Sequence, residues 1–295
     1  MATTAPGTEP SVGQEAEQDA GTGIHRLARS RRPGLFRLGE DIPRGAYLGI
    51  VAASFLIPLA LWCFFTYSGR ANALILPTPT HMFQAAVEEY QAGELLPDIK
   101  ISVYRIGMGF LLSAVLAIPV GILMGAYKVA EAAHEPFVGF VRYVPVPALI
   151  PLVMVIAGID EPAKILLIFI GTYFQMVLVV ADVTRQVPRD LLHAARTLGA
   201  NRRQLLFNVL LPATLPGLMD TCRTMIGWAW TYLVIAEVVA TSSGLGYSIM
   251  KAQRFSRADE IFVGIVLLGL LGLATDMLFK IVQPRLLPWA EAQKN

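Results

Sequence analysis

Long uncharged, apolar runs alternate with short charged stretches along this chain, and each run can be measured against the roughly 20 residues a helix needs to cross a bilayer's hydrocarbon core. Residues 45–69 and 106–127 are unbroken runs. Residues 143–159 and 165–181 are shorter and need their flanks to reach across. The run 215–239 contains Asp220, Arg223 and Glu237, so its helix turns toward protein or water rather than lipid. Residues 261–282 close the set, with Asp276 and Lys280 near the end. The pattern predicts an all-α polytopic membrane protein with about six transmembrane helices, its membrane domain covering residues 45–290.

Between the fourth and fifth runs the period changes. Residues 188–212 read as a basic, amphipathic helix–turn–helix. Pro188 suits a first helical turn, and Asp190 favours the positive end of the helix. Leu191, Ala194, Ala195 and Leu198 recur at i, i+3, i+4 and i+7, one apolar stripe built partly of very small side chains. Gly199 falls where a helix end needs a left-handed residue. Asn201, with Gln204 three residues on, reads as a capping box opening the next helix. A short helix with a shallow apolar face suits docking into another protein's groove better than a core position, and an ordinary helical hairpin is the alternative.

Composition agrees with the membrane reading: 55% of residues are hydrophobic and 16% charged, outside the soluble range. A net charge of +2 gives a nucleic-acid role no support. Cys63 and Cys222 lie in apolar runs and suggest neither a disulfide framework nor a zinc site. His25, His81, His134 and His193 are scattered without the spacing of a metal pair. Residues 1–23 are polar and small and read as disordered, with no signal-peptide core. Arg26, Arg29, Arg31, Arg32, Arg37 and Arg44 then crowd the approach to the first run, giving a basic tail over 1–44 that the positive-inside rule puts in the cytoplasm. A short tail, 291–295, ends the chain. Arg185, Arg189, Arg196, Arg202 and Arg203 fall on the expected inside, and Glu88, Glu89, Glu94 and Asp98 outside. Lys251, Arg254 and Arg257 also fall outside, against the rule.

The spacing from Ala194-Ala195 through Gly199 and Val209 to Leu211-Pro212 resembles the "EAA" motif of the membrane-spanning subunits of bacterial ABC importers. His193 stands where that motif opens with glutamate. The resemblance extends through LPTP at 76–79, SVYRIGMGF from Ser102, VPVPALIPL at 144–152, AEVV at 236–239 and GLGYSI at 244–249, which are similar to the nitrate, sulfonate and taurine branch. It implies the type I importer permease fold, with two such subunits enclosing one pathway. It makes 188–204 a coupling segment pressed into a partner ATPase, using Leu191, His193, Ala194, Ala195, Leu198, Gly199, Leu211 and Pro212. It also implies a substrate-binding protein, an inner (plasma) membrane location, and a small anion such as nitrate, a sulfonate, taurine or bicarbonate as cargo. The chain has no GxxxxGK[ST] loop, so no nucleotide cofactor is expected on it, and ATP with magnesium belongs on the partner.

Three features stay open between function and packing. Gly121 and Gly125 form a GxxxG pair, and Gly264, Gly269 and Gly272 dot the last run, either seating close helix pairs or simply tolerated in apolar helices. Pro145, Pro147 and Pro151 interrupt the third run, as a kink or as backbone lining a cavity. Arg223, Trp230 and Glu237 recur at intervals of seven on one face of the fifth run, either along a translocation pathway or paired to neighbouring helices. An ATP-independent transporter or channel is the alternative function. A membrane enzyme finds no nucleophile, metal cluster or paired carboxylates in the sequence.

Overall fold

The computed structural model describes residues 42–72, 75–239 and 241–291. The polar tail 1–23, the arginines from Arg26 to Arg37 and residues 292–295 lie outside the described residues. Every regular element among the described residues is helical. In chain order these are α1 (Arg44–Tyr67), α2 (Pro79–Gln91), α3 (Leu95–Ala126), α4 (Lys128–Val141), α5 (Val146–Ala157) and α6 (Glu161–Arg185). They are followed by α7 (Arg189–Thr197), α8 (Arg202–Val239), α9 (Leu245–Arg254), α10 (Ala258–Leu286) and α11 (Pro288–Glu291). Five of them, α1, α3, α6, α8 and α10, are long and apolar enough to cross a membrane. A sixth crossing is split between α4 and α5, which meet at 99°.

The chain divides into two compact units, Met1–Leu61 and Trp62–Asn295. The described part of the first is an apolar helical run with no buried side chain, a surface suited to lipid all round. In the second, α3 packs along α6 at close range because α3 carries glycines where the two backbones approach. A Cβ at Gly121 would lie 2.6 Å from Val180 Cβ, one at Gly109 would lie 2.7 Å from Ile168 Cγ2, and one at Gly125 would strike Thr184. The GxxxG pair is therefore a helix-packing device, needed in lipid because hydrophobicity supplies no attraction between helices there. Gly264 likewise admits Ile249, whereas Gly269 faces open space. Ala114, Ala117, Met176, Val177, Val180 and Ala181 fill the α3–α6 seam, joined by Cys222 and Met225 of α8. Ser113 returns its hydroxyl proton to the Gly109 carbonyl (2.9 Å), and Thr172 to that of Ile168 (2.8 Å), so the buried hydroxyls are satisfied locally.

Two crossings differ from the sequence reading. The second begins at Leu95, about three turns before Ile106, because the charges that seemed to end it are paired. Arg105 is fully buried among acids, and Asp98 accepts the Gly244 N–H at 2.7 Å. The third is not one helix over 143–159. It begins at Lys128 on an amphipathic helix that includes Glu131, His134 and Glu135, breaks after Val141, and resumes at Val146. Pro145 caps the second piece and Pro147 lies in its first turn, where a missing N–H costs nothing, so these prolines start a helix rather than kink one.

Candidate functional site

The segment 188–204, read from the sequence as a coupling segment, begins where α6 finishes. Pro188 is the N-cap of α7, one position earlier than a first-turn residue, with Asp190 in the first turn and Arg196 in the last. Gly199 has φ +86°, and its N–H donates to the Arg196 carbonyl (2.9 Å) while Ala200 N–H reaches back to Ala195 (3.0 Å). The capping box is present in both directions, Gln204 N–H to Asn201 Oδ1 and Asn201 N–H to Gln204 Oε1, each 2.9 Å. The C-terminal end of α7 is thus closed and the next helix capped, and α7 buries none of its residues. Leu191 and His193 are exposed with Ala194, Ala195 is half-buried, and Leu198 is 89% exposed. Leu192, off the stripe, faces the protein with Tyr127, Leu205 and Leu210 around a hollow of about 330 Å³.

Leu211 and Pro212, which close the motif, do a different job. Proline has no N–H and crowds the carbonyl four residues back, so the turn before it cannot stay α-helical. Residues Leu205–Leu210 widen into a π-helix, and Leu211 N–H bonds to Leu206, five residues back. The break separates the capped segment from the membrane part of α8.

At the opposite end Arg105 gathers four parts of the chain. Its Nε and Nη2 form a fork onto Glu161 of α6, both at 2.7 Å. Its Nη1 donates to Glu237 of α8 (2.7 Å) and to the Ser243 carbonyl (2.8 Å). Glu237, also fully buried, accepts from Ser102 Oγ (2.7 Å) and Gly246 N–H (2.8 Å), and Lys164 joins Glu161 at 2.9 Å. Two cations and two anions balance, as burial of charge demands. Gly244 (φ +106°) is placed so that a Cβ would run into the Glu237 carboxylate and Arg105, which accounts for the glycines in the run 244–249.

The three face residues of the fifth run are spread along α8 rather than gathered. Glu237 belongs to the Arg105 cluster, Trp230 Nε1 donates to Thr275 Oγ1 of α10 (3.3 Å), and Arg223 forks onto Asp276 of α10, which also holds Lys280 at 2.9 Å. Each has a partner on a neighbouring helix. Arg105, the centre of this cluster, was not among the residues the sequence singled out.

Residues 117–288 match the family described as "Binding-protein-dependent transport system inner membrane component". The chain belongs to that family. A probable ABC transporter permease of Brucella abortus (strain 2308) is 39% identical over 83% of this chain and 96% of its own. The putative aliphatic sulfonates transport permease SsuC of Bacillus subtilis is 37% identical over 80% of this chain and 86% of its own, and the taurine transport permease TauC of Escherichia coli 28% over 86% and 94%. Among solved structures, the MetNI methionine ABC transporter in inward-facing conformations matches 64% of this chain and 95% of its own with TM-score 0.53 at 22% identity, a likeness of fold. This is the type I importer permease fold, and the protein is a transport component of an inner membrane.

The permease also explains its misplaced basic residues. Lys251 lies 2.8 Å from Glu94, and Arg257 lies 3.0 Å from Glu260 and 3.8 Å from Glu88, so they neutralise carboxylates at the same membrane end. These groups line a cavity of about 470 Å³ with Glu89 in its wall. Burial, and then the charges of Glu260, Glu94 and Asp98, push the Glu89 carboxyl up from 4.5 to about 7. Its folded form therefore holds a proton that the unfolded chain releases. The stability from that proton is full below about pH 4.5 and is lost as pH rises through 7. Glu89→Gln should flatten the fall in thermal midpoint between pH 5 and 7.5, and an unchanged slope would contradict this.

Proposed function

We propose that two copies of this chain enclose the translocation pathway of an ATP-binding-cassette importer for a small anion. Nitrate, a sulfonate, taurine and bicarbonate are the cargo candidates, and a separate cytoplasmic ATPase, with its ATP and magnesium, drives transport through α7. The observation that carries the reading is the segment 188–204: a short helix closed at its C-terminal end by Gly199, none of whose residues is buried and whose stripe leaves Leu191, Ala194 and Leu198 exposed. Leu191, Ala194, Ala195 and Leu198 give the ATPase a shallow apolar contact, and His193 offers an imidazole rather than a carboxylate beside it. The cargo class follows the relatives' names, which include the nitrate import permease NrtB of Leptolyngbya laminosa at 26% identity. The five arginines of 185–203 support a cytoplasmic side for the coupling end, and the arginines before α1 independently support a cytoplasmic N-terminus, by the positive-inside rule. A binding protein delivers the anion at the other end.

The test is purification of the tagged chain from its native membrane into lipid nanodiscs. The expected complex has two copies of this chain and two of a chain with a GxxxxGK[ST] loop, and it hydrolyses ATP. A monodisperse, ATPase-free form that still transports would overturn the proposal.

A further inference from the structure

Where the third crossing breaks between α4 and α5, a cavity of about 260 Å³ opens. Its far wall is Ile170, Gly171, Phe174 and Gln175 of α6, residues that flank the midpoint of that 25-residue crossing. The cavity therefore lies near the centre of the membrane. Arg142, the residue at the break, lines it, and no lining residue is acidic. Among the described residues no carboxylate forms an ion pair with Arg142: its Nη2 donates to the Tyr143 hydroxyl (2.7 Å) and its guanidinium lies 4.7 Å from the centre of the Tyr143 ring. The carboxyl end of α4 and the amino end of α5 both reach the cavity, so their opposite end charges largely cancel. Arg142 decides the sign of the site.

Two further residues that carry donors line the same space. Gln175 and Tyr232 are in the cavity wall, and neither side chain has a hydrogen-bond partner among the described residues. The chain makes a specific provision for Tyr232: a Cβ on Gly171 would lie 2.6 Å from its ring, so only glycine lets that ring rest against the α6 backbone. An unpaired cation at this depth is costly, and such residues mark transported-ion sites when they line a cavity.

We infer that this cavity is an anion-binding waypoint at mid-membrane, in which Arg142 supplies the charge and Gln175 and Tyr232 supply directional hydrogen bonds to a small oxyanion. The inference rests on the anion-import reading and assigns that transport a residue-level site. Broken membrane helices expose such groups without lipid contact.

The experiment uses the whole complex in membrane vesicles, with Cys63→Ala, Cys222→Ala and Gln175→Cys in this chain. Methanethiosulfonate reagents carrying either a sulfonate or a trimethylammonium group are compared, each rate divided by its rate with free cysteine. The sulfonate reagent is expected to react about tenfold faster or more. Arg142→Gln should bring the ratio to about one, Arg142→Lys should retain it, and millimolar nitrate should slow the sulfonate reagent. Tyr232→Cys gives the same readout should the first variant fail to assemble. Equal rates in the parent, a preference for the cationic reagent, or a ratio indifferent to Arg142→Gln would overturn the site. A complex that imports nitrate or taurine with both the ratio and uptake unmoved by Arg142→Gln sinks the site alone. A complex that selects the anionic reagent yet drives no ATP-dependent anion uptake sinks the transport reading alone.

Discussion

A Gly199→Trp permease should reach the membrane at normal levels and transport nothing. Nothing lies within 4 Å of the position a Cβ would occupy at Gly199, so the bulky side chain meets no clash inside the chain. The left-handed backbone at φ +86° adds strain on the order of 1–2 kcal/mol, too little to unfold a bundle of this size. What the indole does meet is whatever docks on α7, since it projects beside Leu198, the most exposed large residue of the segment. Transport and ATPase stimulation should both vanish. Gly199→Ala, which brings the strain without the bulk, should retain part of each. Full transport by the tryptophan variant would show that α7 contacts no partner.

The largest expected loss of stability is at Arg105. Arg105→Ala leaves Glu237, with no exposed surface, without its cation, and leaves Glu161 held by Lys164 alone. Removing one partner of a buried pair costs about 3–5 kcal/mol. For a chain of this size that lowers the thermal midpoint by on the order of 10 °C. It also frees the connection 241–246, which Arg105 and Glu237 hold through Ser243 and Gly246. Glu237→Gln alone should be milder, because its side-chain oxygen still accepts from Ser102 or Arg105. An Arg105→Met, Glu237→Gln double variant should recover much of the loss, because no uncompensated buried charge remains on α8. Additive losses would mean the two residues act independently.

Local chemistry was legible in the sequence, and long-range pairing was not. The glycine at the end of α7 and the Asn201–Gln204 box follow from residues within four positions of one another, and the structure holds both, whereas Pro188 stands at the N-cap rather than in the first turn. The GxxxG pair was legible only as one of two readings, because glycine is also common in membrane helices, and the close approach of α6 is what decides between them. Arg105 was read as the edge of an apolar run, since its partner Glu237 lies 132 residues away and no spacing announces the pair. The third crossing failed for a related reason. The charges of Lys128–Val141 put it outside the uncharged run, yet Glu131 is paired to Arg185 at 2.6 Å, across 54 residues. The proline cluster was the usable signal there, since it marked the break between α4 and α5 where a cavity opens.

The most direct test of the account is uptake by proteoliposomes that hold this chain, its ATPase and its binding protein, with labelled nitrate, taurine, an alkanesulfonate and bicarbonate offered in turn. At least one of these anions should accumulate only when ATP is supplied on the α7 side, and accumulation should stop with Gly199→Trp. Accumulation that proceeds without ATP, or that survives removal of the ATPase chain, would contradict the account.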